Sequence, residues 1–536
     1  MKVNLLNYPY PSQRMVMLSQ NGMVATSQPL AAQSGLKMLQ KGGNAIDAAV
    51  ATAASLTVLE PTSNGIGGDA FALICFNSKL SGLNASGYSP AMVTIEKIRE
   101  QGYQEMPALG WLPVTVPGAP AAWAELARKY CLLPFKTLLE PAIEYAAKGY
   151  PVSPTLGMSW KVAFDKYRKK ATREEFKEWF KVFAPYGRAP EIGESWSSPD
   201  HAETLQIIAE TDARSFYQGK LAELIDHYAQ KQNGLLRGDD LAKYSAEWVA
   251  PISVNYRGYD IWELPPNGQG LITLLALNIM KGFELKAKEQ VETYHTQIEA
   301  LKLAFADGKK YITDQNKMSI QLSELLSEKY AKRRRGLIGE RAAIPKPGKP
   351  GVGGTVYLAT ADRDGNMVSY IQSNYMGFGS GIVVPGTGIA LQNRGHSFSL
   401  EQNEANCLEP RKRPYHTIIP GFITKDNQPV GPFGVMGGFM QPQGHLQVLM
   451  NMIDFNLNPQ AALDAPRWFW KDQQEIVVED HFPTFIARAL SRKGHKVTIS
   501  LNPAIFGRGQ IILRDNERGI LLGGTEKRTD SAIAVW

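Results

Sequence analysis

The stretch that most constrains this chain is Gly353-Gly354-Thr355-Val356-Tyr357-Leu358-Ala359-Thr360. A basic segment rich in proline and glycine ends there, and a strand pattern begins at Thr355. Val356, Leu358 and Thr360 fall on one face, while Tyr357, Ala359 and Ala361 fall on the other, the period-2 signature of a strand. Asp362-Arg363-Asp364-Gly365-Asn366 is turn chemistry, and Met367 to Asn374 reads as the returning strand of a hairpin. If Ala361 pairs with Met367, antiparallel counting sets Ser373 opposite Thr355. A slip of one residue would turn the second hydroxyl to the wrong face.

A threonine hydroxyl is a weak nucleophile until a base takes its proton. A free N-terminal amine on the same residue can be that base, because its pKa lies near neutrality. In an intact chain this nitrogen is an amide, so the chain would first be cut between Gly354 and Thr355. The two glycines before Thr355 tolerate the backbone geometry that attack on the preceding carbonyl needs. Taken alone, the stretch also fits an ordinary hairpin after a linker.

The 536 residues allow a large core and, by length alone, roughly two to four domains. Hydrophobic content of 44% and charged content of 20% are those of an ordinary soluble globular protein. Part of the net charge of +7 lies in the segment 331–350, where Lys332, Arg333, Arg334, Arg335, Arg341, Lys346 and Lys349 face one acid, Glu340. No nucleic-acid-binding pattern accompanies this run, so it reads as a solvated loop and no nucleic-acid partner is expected. Cys75, Cys131 and Cys407 are odd in number and far apart, which gives neither a disulfide framework nor a metal-type pair. No apolar run reaches 18 residues and Met1 to Ser19 lacks a signal pattern, so no membrane span and a cytoplasmic location are expected.

Along the chain, Pro29 to Lys41 and Ala45 to Leu59 read as helices, the second capped by Asn44 and rich in small residues for close packing. Asn64-Gly65-Ile66-Gly67-Gly68-Asp69 lacks a Walker lysine and reads as a tight turn, with a strand at Ala70–Phe76. Residues 120–330 read mostly helical, including Gly270–Lys281 and Val291–Ala306, with one strand at Tyr256–Trp262. Segment 331–354 reads as a linker. Beyond the hairpin, glycine-rich loops punctuate apolar strands, a helix is expected over Leu446–Ile453, and strands return over Ile476–Glu479, His495–Ser500, Gln510–Leu513 and Ser531–Trp536.

These residues carry a resemblance over nearly the whole chain. GMVATSQPLAAQSGLKMLQKGGNAIDAAVATAASLTVLEP at 22–61, PTSNGIGGDAFALI at 61–74, PPNGQGLITLLALNIM at 265–280, GGTVYLATADRDGNMVSYIQSNYMGFGSGI at 353–382, Gly437-Gly438 and GTEKRTDSAIAVW at 524–536 together resemble the γ-glutamyltranspeptidase family of N-terminal-nucleophile (Ntn) hydrolases, cephalosporin-acylase-like members included. The resemblance implies an α+β fold, the four-layer αββα sandwich. It implies self-cleavage into a large segment, 1–354, and a small segment, 355–536, that stay intertwined as an αβ heterodimer in one domain; whether two such units pair is left open. Thr355 then looks like the nucleophile, Ser373 like its hydroxyl partner, and Gly437 and Gly438 like the backbone N–H pair that holds the oxyanion. The implied reaction is hydrolysis or transfer of an acyl group from a small amide, with no metal or organic cofactor. A non-catalytic relative that never frees Thr355 and acts as a binding protein is the alternative.

The departures bear on substrate. Members that act on γ-glutamyl compounds have an arginine where this chain has Ser86 and an acid where it has Ser397. Their Ser-Ser pair appears here as His416-Thr417. Their substrate-contacting asparagine is displaced to Asn374 or replaced by Tyr375. Serines do not reproduce a bidentate arginine and a paired acid, which points away from glutathione. Arg394 could anchor an acyl group with a terminal carboxylate from another direction, or it could be one half of a structural ion pair.

Overall fold

The computed structural model describes Leu6 and residues 13–345 and 354–536. The expected hairpin forms the middle of a seven-stranded sheet. In spatial order its strands are Ala532–Val535, Gly22–Thr26, Gly354–Asp362, Met367–Tyr375, Asp69–Phe76, Lys79–Ala85 and Glu247–Val249. A second seven-stranded sheet runs Met17–Ser19, Ile520–Thr525, Arg508–Asp515, Gln428–Met436, Gly421–Lys425, Tyr259–Glu263 and Ile252–Tyr256. Every neighbouring pair in both is antiparallel. Each sheet takes strands from both sides of Thr355.

The alternation of side chains sorts the layers. Tyr357, Ala359, Ala361 and Ile371 join Met23, Phe422, Met436 and Ile512 in the core between the sheets. Val356, Leu358, Val368 and Tyr370 point the other way, against the helix Ala45–Leu59 and its neighbours. All of Ala45–Leu59 is buried, as its small side chains require, and Asn44 with Asp47 closes a capping box at its start. On the far side, Val254, Ile261, Ile423, Phe433 and Val435 pack against Gly270–Met280, Val291–Tyr311 and Met440–Ile453. The result is the expected α+β sandwich of helix, sheet, sheet and helix layers.

The hairpin register is Ala361↔Met367 through Val356↔Gln372. The ladder then shifts, and Gly354 pairs with Tyr375. This bulge sets Ser373 and Asn374 against the single residue Thr355.

Three expectations change. Tyr256–Trp262 is a hairpin turn rather than one strand: Ile252–Tyr256 and Tyr259–Glu263 pair, with Arg257 and Gly258 at φ 53° and 86° between them. The helix expected at Leu446 starts at Met440. The segment 331–345 is not a linker. Its start belongs to the helix Glu328–Arg335, where Arg335 donates to the carbonyls of Asn278 and Ile279 at the end of another helix and Arg334 Nε lies 2.9 Å from Asp307. Basic side chains find ready acceptors at a helix C-terminus. Ala342 then bonds to Lys493 and Ala343 to Glu299. The rest of that expectation, 346–353, lies outside the described residues. No helix among the described residues is long and apolar enough to cross a membrane.

Candidate active site

Thr355 stands at the bulge, 2% exposed, facing the inter-sheet side. Its Oγ1 lies 3.4 Å from Ser373 Oγ. Ser373 Oγ donates to the carbonyl of Gly354 at 2.7 Å and accepts from Tyr375 N at 2.7 Å and from Arg394 Nη2 at 3.3 Å. The hydroxyl pair thus touches both sides of the Gly354–Thr355 peptide bond.

Gly437 and Gly438 join the strand Gln428–Met436 to the helix Met440–Ile453 at φ 132° and 61°, angles that favour glycine. Neither N–H donates to any partner among the described residues. The Gly438 carbonyl is held by Gln269 Nε2 at 2.9 Å, which also holds the Thr417 carbonyl at 2.7 Å. Gln441, in the first turn of the helix, reaches Thr355 Oγ1 with Nε2 at 3.4 Å and accepts from Ile419 N at 2.9 Å.

Arg394 is fully buried. Nη1 donates to Thr417 Oγ1 at 2.7 Å, Nη2 to Ser373, and Nε has no partner among the described residues. The guanidinium lies over the Tyr375 ring at 4.3 Å. No carboxylate among the described residues comes within 4 Å of it, so it is not one half of an ion pair. Burial pulls its pKa down to about 10, with Asp69 opposing, and it stays a cation at neutral pH. Asp69 pairs with Ser373 across the strands and meets His416 Nε2 at 3.0 Å. Burial pushes the Asp69 carboxyl up to about 7 against the pull of Arg394, two backbone N–H groups and Arg413. Burial, Arg394 and Arg413 hold His416 well below the usual imidazole range. His416 is therefore neutral, with Nδ1 accepting from Ile418 N and Nε2 donating to Asp69.

The other sequence candidates lie further out. Asn374 takes the opposite strand face from Ser373, its side chain packed against Gly65 and Gly68 with neither polar atom partnered among the described residues. Ser86 is fully buried, its hydroxyl bonded to Asn84 Oδ1 at 2.7 Å and within 3.3 Å of Asn267 Oδ1. Ser397 donates to the carbonyls of Arg394 and Tyr415 at 2.9 and 2.8 Å. It lines a cleft of about 1510 Å³ with Tyr375, Met376, Tyr415 and Phe439.

Elsewhere, His295, Glu299 and His495 bring three possible metal-ligand atoms within 4.8 Å. Most of their bonds are already made, with His495 Nδ1 alone of the three residues' ligand nitrogens lacking a partner among the described residues. His295 Nε2 donates to Gly339 O, so its Nδ1 accepts from His495 Nε2 at 2.9 Å, and Lys302 Nζ lies 2.6 Å from Glu299 Oε1. The lysine ammonium holds one oxygen of that carboxylate and the Ala343 N–H the other.

The family profile described as Gamma-glutamyltranspeptidase matches residues 31–536. The chain belongs to the gamma-glutamyltranspeptidase family. It is 37% identical over 523 residues to the Glutathione hydrolase-like YwrD proenzyme of Bacillus subtilis, covering 95% of this chain and 97% of that one. It is 32% identical over 534 residues to the Oxamate amidohydrolase proenzyme of Klebsiella pneumoniae, covering 97% and 99%. The crystal structure of a cephalosporin acylase from Bacillus halodurans superposes with a TM-score of 0.98 at 60% identity, over 100% of this chain and 99% of that one. The protein is thus a self-processing amidohydrolase or acyltransferase of the Ntn type.

Asp69, Gln269 and Gln441 surround this candidate site, and the sequence alone does not single them out. Asp69 closes the glycine loop and Gln441 follows Gly438 by three residues, but neither position carries a signal of its own. Only the pairing of Asp69 with Ser373 and the start of the helix at Met440 bring them in.

Proposed function

We propose that the chain cuts itself between Gly354 and Thr355, and that the matured Thr355 takes the acyl group from a small amide whose acyl half ends in a carboxylate. In the first step Thr355 Oγ attacks the Gly354 carbonyl carbon, the hydroxyl proton passes to the Thr355 nitrogen as the C–N bond breaks, and water hydrolyses the resulting ester. This leaves a carboxylate on Gly354 and a free amine on Thr355. Ser373 Oγ, already on the Gly354 oxygen at 2.7 Å, stabilises the charge that grows there. In the second step the Thr355 amine takes the hydroxyl proton, Oγ attacks the substrate amide, and the leaving amine carries the proton away. The N–H groups of Gly437 and Gly438 receive the oxyanion. Water or an acceptor amine then removes the acyl group. Both sheets contain strands from each segment, so the two pieces stay together as a heterodimer.

One observation carries the substrate reading: Arg394 is a fully buried cation beside Ser373 with an unpartnered Nε and no carboxylate of its own. Asp69 offsets that charge only from beyond ion-pair distance, and a ligand carboxylate would meet it directly through charge-assisted hydrogen bonds. Among the relatives, the oxamate amidohydrolase name supports this, oxamate being an amide that bears a carboxylate. The test compares glutaryl-4-nitroanilide with pentanoyl-4-nitroanilide. The account expects kcat/KM at least tenfold higher for the glutaryl compound, and the Arg394→Met variant to lose the difference. Equal rates on both in the native protein would overturn the substrate reading while leaving self-cleavage untouched.

A further inference from the structure

The cleft holds a cation that the reaction above does not use. Lys309 stands on the helix Val291–Tyr311, in the wall that faces Tyr375, Tyr415 and Phe439. Three other cations line the same cleft. Lys302 is matched by Glu299 at 2.6 Å and Arg334 by Asp307 at 2.9 Å, and Lys310 is exposed to solvent. Lys309 Nζ is buried and has no hydrogen-bond partner among the described residues. Its surroundings are aromatic: the ring centres of Phe439 and Trp470 each lie 5.8 Å away. Two rings attract an ammonium weakly at that range and leave its three N–H donors unmet. Asp472 acts on it from a distance, and burial pulls its pKa down to about 8. No carboxylate among the described residues lies within ion-pair distance of this amine, so its direct bonding capacity is left to a ligand anion.

We propose that Lys309 binds a carboxylate on the amine half of the substrate, the half released when the acyl-enzyme forms. The inference rests on the reading that Arg394 holds the acyl half. Arg394 lies over Tyr375 and donates to Ser373, whereas Lys309 lies beside Phe439, the residue that follows Gly437-Gly438. Lys309 lines the cleft from the helix Val291–Tyr311, whereas Arg394 lies over the ring of Tyr375, itself a lining residue. A substrate whose acyl carboxylate occupies Arg394 leaves Lys309 for its other end. The ligand class is therefore an N-acylated amino acid or an amine of similar kind, with one anionic group in each half.

The test is calorimetric binding of 4-aminobenzoate and 4-aminobenzamide, a pair of leaving amines of nearly equal shape, to the purified full-length protein. The native protein should bind the carboxylate at least tenfold more tightly. Lys309→Met should erase that preference, and Lys309→Arg, which restores the charge, should keep it. No preference in the native protein, or a preference that survives in Lys309→Met, overturns the proposal. Failure of the Arg394 reading would look different: loss of the glutaryl preference with the benzoate preference intact.

Discussion

The hydroxyls of Thr355 and Ser373 lie 3.4 Å apart because the hairpin bulges at Thr355, one residue beyond its last regular pair, Val356↔Gln372. The same bulge places Ser373 Oγ 2.7 Å from the Gly354 oxygen. Ser373→Ala should therefore slow self-cleavage by about 10²–10³-fold, the usual effect of losing one oxyanion donor. A gel time course of the freshly made chain measures this. A cleavage rate equal to that of the native protein would remove Ser373 from the reaction.

Arg394 uses two nitrogens in different directions, towards Thr417 and Ser373. A lysine keeps the charge but not the fork. Arg394→Lys should raise KM for glutaryl-4-nitroanilide about tenfold or more, as the loss of a charged hydrogen bond of about 1.5–3 kcal/mol implies. Steady-state kinetics decide, and an unchanged KM would mean that the guanidinium serves only to position Ser373.

Asp69 gives the site a pH signature in stability. Its folded carboxyl titrates at about 7, raised by burial, whereas an unfolded aspartate titrates at about 3.9. The folded protein keeps a proton that the unfolded chain releases. The stabilising contribution is complete below pH 4 and is lost as the pH rises through about 7. Asp69→Asn cannot titrate there. The urea midpoint of the native protein relative to Asp69→Asn should fall between pH 4.5 and 7.5, and a constant difference across that range would contradict the assignment.

The layers and the central hairpin were legible because alternation along Thr355–Ala361 and small-residue packing along Ala45–Leu59 are local signals that the tertiary structure respects. The register from Ala361↔Met367 to Val356↔Gln372 followed from turn length, but the bulge beyond it did not, since no residue type announces it. That bulge, with strand alternation, explains why Ser373 faces Thr355 while Asn374 turns to the glycine loop. The 331–345 segment reads as a linker because a basic run leads into Pro345, Pro347 and Pro350, whereas Arg334 and Arg335 are consumed by an aspartate and by helix-end carbonyls supplied from distant sequence. Arg394 was visible as a candidate, but only the fold shows that it lacks an ion pair.

The central claim is that the Gly354–Thr355 bond is cut and that Thr355 does the cutting. Intact mass of the purified protein with N-terminal sequencing of its fragments tests this most directly. The account predicts two pieces, 1–354 and 355–536, the second beginning Thr-Val-Tyr, and a single uncut chain for Thr355→Ala. A Thr355→Ala protein that still yields the piece beginning at residue 355 would contradict it.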